Sequence, residues 1–187
     1  MVVYCFTHWR YKIKDLGSFV VPVAFLILLY ATFLSKDVVP IPESEFKVLI
    51  TLHRTLSIIG FAAFAIAFGL GVMYLIQEKQ VKSKKLGMMY FRMPSLEALD
   101  NLIYKAVTVG FPLFTLGFLT GSIWNFQEGE SSFFSLDMIS IWPLILGWIL
   151  YGLVFFGRRG LGWRGKKGAQ GSVAGFVTVM ISIILHI

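Results

Sequence analysis

The sequence predicts an all-α integral membrane protein, built as a bundle of about five transmembrane helices. Of its 187 residues, 57% are hydrophobic and 14% are charged, whereas a soluble domain carries about 25% charged residues. The apolar residues also fall into separate runs, each close to the roughly 20 residues that a helix needs to cross a bilayer. These runs lie near 17–35, 48–77, 104–125, 139–157 and 170–187.

The five runs are expected to form one domain over residues 1–187. The run at 48–77 exceeds one bilayer crossing, so we expect that helix to tilt or to project beyond the lipid. The run at 170–187 is the shortest and stops at the chain end. The N-terminal stretch MVVYCFTHWRYKIK is aromatic and basic, so no cleavable signal peptide is expected. Its first residues, MVVYCF, could also be the tail of an upstream helix.

The charges between the runs alternate in sign and predict the topology. Segments 1–16, 78–105 and 158–168 are net positive, and segments 35–46 and 126–138 are net negative. Because Lys and Arg are retained on the cytoplasmic side, the N-terminus is predicted inside and the C-terminus outside. Both acidic loops then lie outside, and a bacterial-type inner membrane is the expected location. The overall basic charge is attributed to cytoplasmic loops, so no nucleic-acid partner is expected.

A short helix is predicted between the second and third runs. Pro94-Ser95 is typical of a helix start, because proline restricts its predecessor and serine can cap. The following SLEALDNLIYK repeats apolar residues at helical spacing. We expect this segment to lie along the inner membrane surface; the alternative is a simple solvated connector.

Several kinds of chemistry lack support in the sequence. With the single cysteine, Cys5, the chain cannot form an internal disulfide, a CxxCH heme attachment site or a CxxC redox pair. No HExxH, GxSxG or P-loop pattern occurs. We therefore name no catalytic residue and expect a carrier or assembly factor rather than an enzyme.

Polar and aromatic residues converge on the predicted outer face. Ionisable groups within membrane spans are costly and are therefore functional candidates. Near the outer helix ends lie His53, Arg54, Trp124, Trp142 and His186. Each also has an ordinary explanation: interfacial histidine, snorkelling arginine or an aromatic belt.

Together these residues suit a macrocycle that contains a metal. Two neutral imidazoles at one depth, His53 and His186, can ligate heme iron, and no other metal is expected. Arg54 could pair with a heme propionate through a charge-assisted hydrogen bond. The glycines, by contrast, predict close helix packing; they are Gly60, Gly69, Gly71, Gly110, Gly117 and Gly121.

Four stretches carry a resemblance to a known family. They are LGSFVVPVAFLILLYATF, LHRTLSIIGFAAFAIAFGLGVMYLIQEKQVKSKK, PSLEALDNLIYKAVTVGFPLFTLGFLTGSIW and RRGLGWRGKK. They resemble the cytochrome c assembly family, which includes the heme handlers CcmC and CcsA and the related HemX-type proteins. The block from Leu52 to Trp124 is the most specific part.

The hallmark of that family is a tryptophan-rich external loop, roughly WGxxWxWDPKExW, which is degenerate here. Asp137 and Trp142 keep their spacing, but the DPKE core reads DMIS and the two tryptophans before the aspartate are Phe134 and Leu136. Trp124 is retained with one extra residue before Asp137. This decay is more similar to the HemX-like branch than to a full cytochrome c synthetase.

The resemblance implies a heme b carrier of cytochrome c biogenesis at the outer membrane face. His53 matches the family histidine that precedes the loop, and His186 is the counterpart of the one that follows it, with shortened flanking sequence. Asp137 would order the loop rather than bind iron. The implied porphyrin contacts are Trp124, Phe133, Phe134 and Trp142.

The implied partners are heme, other cytochrome c maturation proteins and the lipid bilayer. The alternative is a HemX-like regulatory membrane protein of tetrapyrrole synthesis without stable heme binding. In that case the basic cytoplasmic surface, with Lys82, Lys84, Lys85 and the 158–167 turn, would dock a soluble partner.

Overall fold

Four helices make up the described part of the chain in a computed structural model that covers residues 47–84, 87, 93–127 and 138–185. They are α1 (Lys47–Lys82), α2 (Leu96–Gln127), α3 (Met138–Gly160) and α4 (Lys166–Leu185). No strand occurs within these ranges, and the prediction of an all-α membrane protein is confirmed. The predicted span at 17–35, the acidic loop 35–46 and residues 128–137 of the second acidic loop lie outside the described residues.

The helices have the length and composition of membrane spans. Among the described residues, α1, α2 through Ile123 and α4 are long and apolar enough to cross a bilayer, and α3 contains a shorter apolar core at Trp142–Arg158. At 1.5 Å per residue, the 36 residues of α1 extend about 54 Å. The hydrocarbon core is only about 30 Å thick, so α1 must tilt or project beyond it, as its sequence predicted.

The start of α2 differs in one respect from the sequence prediction. Ser95 does begin the helix, since its Oγ accepts a hydrogen bond from the Ala98 amide at 3.3 Å. However, the prediction of a separate surface helix is wrong, because α2 continues unbroken to Gln127. The physical reason is that Leu99, Leu102 and Ile103 are buried in the bundle core instead of lying on a membrane surface.

Small residues bring α1 and α2 together as an antiparallel pair. A Cβ atom at Gly60 would lie 2.8 Å from the backbone nitrogen of Phe114, which is closer than real Cβ atoms approach. The absence of a side chain therefore lets the two backbones pack directly, as the glycine pattern predicted. Helices α3 and α4 form the second close pair, and α4 also packs against α1.

An aromatic stack in the middle of the bundle connects three helices. The rings of Phe64 on α1 and Tyr151 on α3 lie parallel, with centroids 3.6 Å apart and an interplanar angle of 4°. The Tyr151 hydroxyl donates to the Ser172 carbonyl of α4 at 3.1 Å. Because all three residues are buried, this hydrogen bond satisfies a polar group where no lipid or water can do so.

The two ends of the bundle carry different side chains. One end contains the starts of α1 and α3 and the ends of α2 and α4; we call it the His53 end. At the opposite end, which we call the basic end, the described residues include the exposed cations Lys79, Lys82, Lys84, Arg164, Lys166 and Lys167. This separation agrees with the charge pattern that predicted a cytoplasmic basic face, while the orientation itself stays a prediction.

Candidate functional site

His53 is held at the His53 end by a hydrogen bond to the neighbouring helix. Its Nδ1 lies 2.7 Å from the Gly117 carbonyl oxygen of α2, and the ring is partly buried. A carbonyl can only accept, so Nδ1 carries the hydrogen and Nε2 keeps its lone pair in the neutral ring. Metal-ligating histidines commonly have this arrangement, in which the second nitrogen donates to a backbone carbonyl.

The surface of α2 beneath the ring is formed by glycine. A Cβ atom at Gly121 would lie 2.5 Å from His53 Nδ1 and 2.7 Å from its Cε1. The Nδ1–Cε1 edge of the ring therefore lies against α2 at Gly121. One turn earlier, a Cβ at Gly117 would lie 2.6 Å from Ser57 Oγ, so both positions need glycine for the helices to approach this closely.

Arg54 follows His53 on α1 and has an exposed side chain. Successive residues of an α-helix are about 100° apart around the axis. Arg54 and His53 therefore project in different directions, and Arg54 is free to reach towards an anionic group at the membrane surface.

Trp142 lies near the start of α3 and is 61% exposed. Further along α3, Trp148 donates from its indole nitrogen to Thr115 of α2 at 3.0 Å. Because α2 and α3 are antiparallel here, Trp142 lies at about the same level as Gly121, six residues away from this contact on each helix. An exposed aromatic ring is thus available at the depth of His53.

The structure describes only some of the remaining predicted site residues. Trp124 belongs to the last turn of α2. His186, Phe133, Phe134 and Asp137 lie outside the described residues. The proposed pairing of His53 with His186, which would follow the last residue of α4, therefore stays a prediction.

A multi-residue metal centre does not occur in the described ranges. They contain no group of three or more His, Cys, Asp or Glu side chains that could hold a metal ion. A single imidazole such as that of His53 can serve as an axial ligand of heme iron, because the macrocycle supplies the other donor atoms.

A polar cluster at the basic end was not predicted from the sequence. The Asp100 carboxylate lies 3.1 Å from Arg158 and accepts a 2.7 Å hydrogen bond from the Gly165 amide. Arg158 also donates to Asn101 Oδ1 and lies over the Tyr104 ring, 4.6 Å from its centroid. The cluster fastens the start of α2 to the end of α3 and to the turn before α4.

The α3–α4 turn supports this cluster through its backbone. Gly162 and Gly165 have φ angles of 62° and 63°, a conformation that glycine adopts without strain. A Cβ at Gly165 would in addition lie 2.6 Å from the Tyr74 hydroxyl of α1. The Gly-x-x-Gly spacing in LGWRGKK was a usable signal for a tight turn, but it did not reveal Asp100 as the partner.

Comparison with known proteins identifies the family. The family model described as Cytochrome C assembly protein matches residues 1–185. The chain belongs to the cytochrome c assembly protein family. The resemblance found in the sequence is therefore confirmed at the level of the family.

The relatives of the chain include three proteins named cytochrome c biogenesis protein CcsA. The chain is 31% identical over 185 residues to the cytochrome c biogenesis protein CcsA of Chlamydomonas reinhardtii, covering 95% of this chain and 50% of the relative. It is 26% identical to the CcsA proteins of Mesostigma viride, with 95% and 68% covered, and of Prochlorococcus marinus strain AS9601, with 92% and 62% covered.

The chain thus spans about half to two thirds of the length of these relatives. No solved structure matches the chain. Family membership and the helical membrane architecture are established.

Proposed function

We propose that the chain handles heme as a cargo in cytochrome c biogenesis and holds it at the His53 end of the bundle. The observation that carries the proposal is the hydrogen bond from His53 Nδ1 to the Gly117 carbonyl. With hydrogen on Nδ1, Nε2 is the ring nitrogen whose lone pair can bind iron, in a chain of the cytochrome c assembly family.

The residues at this end fit heme in three respects. His53 supplies a neutral imidazole nitrogen, which is a common axial ligand of heme iron. Trp142 supplies an exposed aromatic surface at a similar depth, suited to a flat apolar macrocycle. Arg54 supplies an exposed guanidinium, which can bind a propionate carboxylate.

The other roles belong to Trp124, in the last turn of α2, and to residues beyond the described ranges. His186 would be the second axial ligand, and heme b the cargo type. Trp124, Phe133 and Phe134 would add aromatic contacts, with Asp137 ordering the loop. A non-covalent carrier needs no bond-forming residue, so covalent attachment would depend on other cytochrome c maturation proteins on the outer face of a bacterial-type inner membrane.

The proposal is tested by the heme content of the protein purified in mild detergent. We expect the wild type to retain heme and His53→Ala to lose it, while Lys47→Ala, another variant at the start of α1, retains it. Loss in His53→Ala without loss in Lys47→Ala supports ligation by His53. Equal heme content in all three proteins would refute it.

A second function is favoured by the basic end. Exposed lysines and an arginine of the described residues, among them Lys79 and Lys167, lie there, opposite the end that would hold heme. A HemX-like regulator without stable heme binding would use this surface to dock an acidic soluble protein.

The two functions differ in which end is sensitive to substitution. For the regulator, replacing Lys166 and Lys167 with Gln should abolish function in cells, and His53→Ala should have little effect. For the heme carrier, His53→Ala should abolish function, and replacing Lys166 and Lys167 should have little effect. Complementation of a strain that lacks the gene, with both variants expressed at equal level, separates the two.

A further inference from the structure

We infer that three residues of α2, Gly117, Thr120 and Gly121, are positioning residues that determine which ring nitrogen of His53 is available to iron. The inference deepens the proposed function and rests on it, because a positioned nitrogen matters only if heme binds. In this inference Nε2 is the atom that binds iron, and the backbone of α2 fixes the protonation and orientation of the ring.

The first step is the orientation of the ring. Gly121 lies against the Nδ1–Cε1 edge, where a Cβ atom would approach Nδ1 to 2.5 Å. A methyl group there would have to push the imidazole away from α2. Gly121 therefore permits the one ring position in which Nδ1 reaches the Gly117 carbonyl.

The second step is the choice of tautomer. The Gly117 oxygen lies 2.7 Å from Nδ1 and can only accept, so it stabilises the ring with hydrogen on Nδ1. In the neutral ring, Nε2 is then unprotonated and keeps its lone pair. Removing such a partner of a metal-ligating histidine typically weakens metal affinity by ~10- to 100-fold.

The third step is the strength of that acceptor. The Thr120 hydroxyl lies 2.9 Å from the Gly117 oxygen and 2.9 Å from the Leu116 oxygen, so it shares the Gly117 carbonyl with His53. A carbonyl that gives electron density to one donor has less for the other. Thr120 thereby limits the donation of electron density to the imidazole, and through it to the iron.

The tautomer can be measured without heme. In ¹⁵N-histidine NMR of the heme-free protein at alkaline pH, with His53→Gln used for assignment, we expect protonated Nδ1 and unprotonated Nε2 for His53. A ring with hydrogen on Nε2 would overturn the inference, even in a wild type that binds heme.

The positioning role is measured with heme. We expect Gly121→Ala to bind hemin ~10- to 100-fold more weakly than wild type. The matched control is Gly160→Ala, because a Cβ at that helical glycine meets no atom within 4 Å; it should bind like wild type. Equal affinity of Gly121→Ala and Gly160→Ala would overturn the positioning role.

If Gly121→Ala fails to fold, a milder variant still tests the positioning role. Thr120→Val removes only the hydroxyl, and we expect the midpoint potential of bound heme to fall, since the imidazole becomes more electron-donating. The control is Thr108→Val, because the Thr108 hydroxyl donates to the backbone carbonyl of Tyr104 at 2.7 Å, away from His53. Equal potentials in the two variants would contradict the role of Thr120.

Failure of the inference can be distinguished from failure of the proposed function. A heme-free wild type with hydrogen on Nδ1 that takes up no hemin would overturn the proposed function, and the positioning role with it. A wild type that takes up hemin with hydrogen on Nε2 would overturn this inference alone.

Discussion

The guanidinium of Arg158 lies 3.1 Å from the Asp100 carboxylate, and both side chains are largely shielded, with 15% and 13% of their surface exposed. This pair joins α3 to α2 at the basic end, where the predicted membrane surface begins. Partly shielded charges of this kind stabilise the fold only while both partners are present.

Removing the Arg158 charge should therefore destabilise the bundle. We expect Arg158→Met to cost on the order of 3 kcal/mol, because Asp100 would remain shielded and uncompensated. The control is Lys82→Met, which breaks the Lys82–Glu78 pair; because the Lys82 side chain is 65% exposed, this change should cost less than about 1 kcal/mol. Unfolding by SDS in mixed micelles measures both, and equal losses would contradict a special role for the Asp100 pair.

The Tyr151 hydroxyl offers a second test of the packing. Tyr151→Phe keeps the stack on Phe64 but leaves the Ser172 carbonyl without this donor, so we expect a loss of about 1 kcal/mol. Tyr151→Ala also removes the ring and should cost about 3–5 kcal/mol. If thermal unfolding in detergent gave the same loss for both variants, the ring stack would not contribute as proposed.

The contact between α1 and α2 makes Gly60 sensitive to small changes. A Cβ there would meet the Phe114 backbone, which cannot rotate away as a side chain can, so we expect Gly60→Ala to cost about 1–3 kcal/mol. At Gly160 the space is open, and Gly160→Ala should be neutral or stabilising by up to about 1 kcal/mol. The unfolding midpoint of Gly60→Ala should therefore lie below that of Gly160→Ala. The reverse order would contradict this packing.

The orientation in the membrane can be determined with single cysteines. Cys5 is the only native cysteine, so Cys5→Ser provides a background for Lys47→Cys at the His53 end and Lys84→Cys at the basic end. Both positions are exposed. With basic residues on the cytoplasmic side, a membrane-impermeant maleimide added to intact spheroplasts should label position 47 and spare position 84. Labelling at position 84 but not at position 47 would show the opposite topology, with His53 on the cytoplasmic side.

The apolar runs predicted four of the helices well but not the full extent of α2. A hydrophobic run reports which residues meet lipid or core, and it ends where charges such as Glu97 and Asp100 appear. Asp100 nevertheless lies inside α2, because its charge is compensated by Arg158, which is 58 residues away in sequence. A partner at that distance cannot be identified from local sequence pattern.

The sequence was sufficient to identify residues of the candidate site, but it could not predict how they contact one another. His53 stood out as an ionisable group in an apolar run, a pattern that indicates function. Its partner is the backbone oxygen of Gly117, and a backbone carbonyl has no signature in the sequence. The glycines were predicted to pack helices, which they do, but the ring that lies on Gly121 appears only once α1 and α2 are placed side by side.

The central claim, that His53 ligates heme, is tested most directly by rescue with free imidazole. We expect the wild type to give a b-type reduced-minus-oxidised absorption spectrum with a sharp α band, and His53→Gly to lose it. Adding imidazole to His53→Gly with hemin should restore the band, because the small ligand replaces the missing side chain. A wild type that binds no hemin, or a His53→Gly variant with an unchanged spectrum before imidazole is added, would contradict the account.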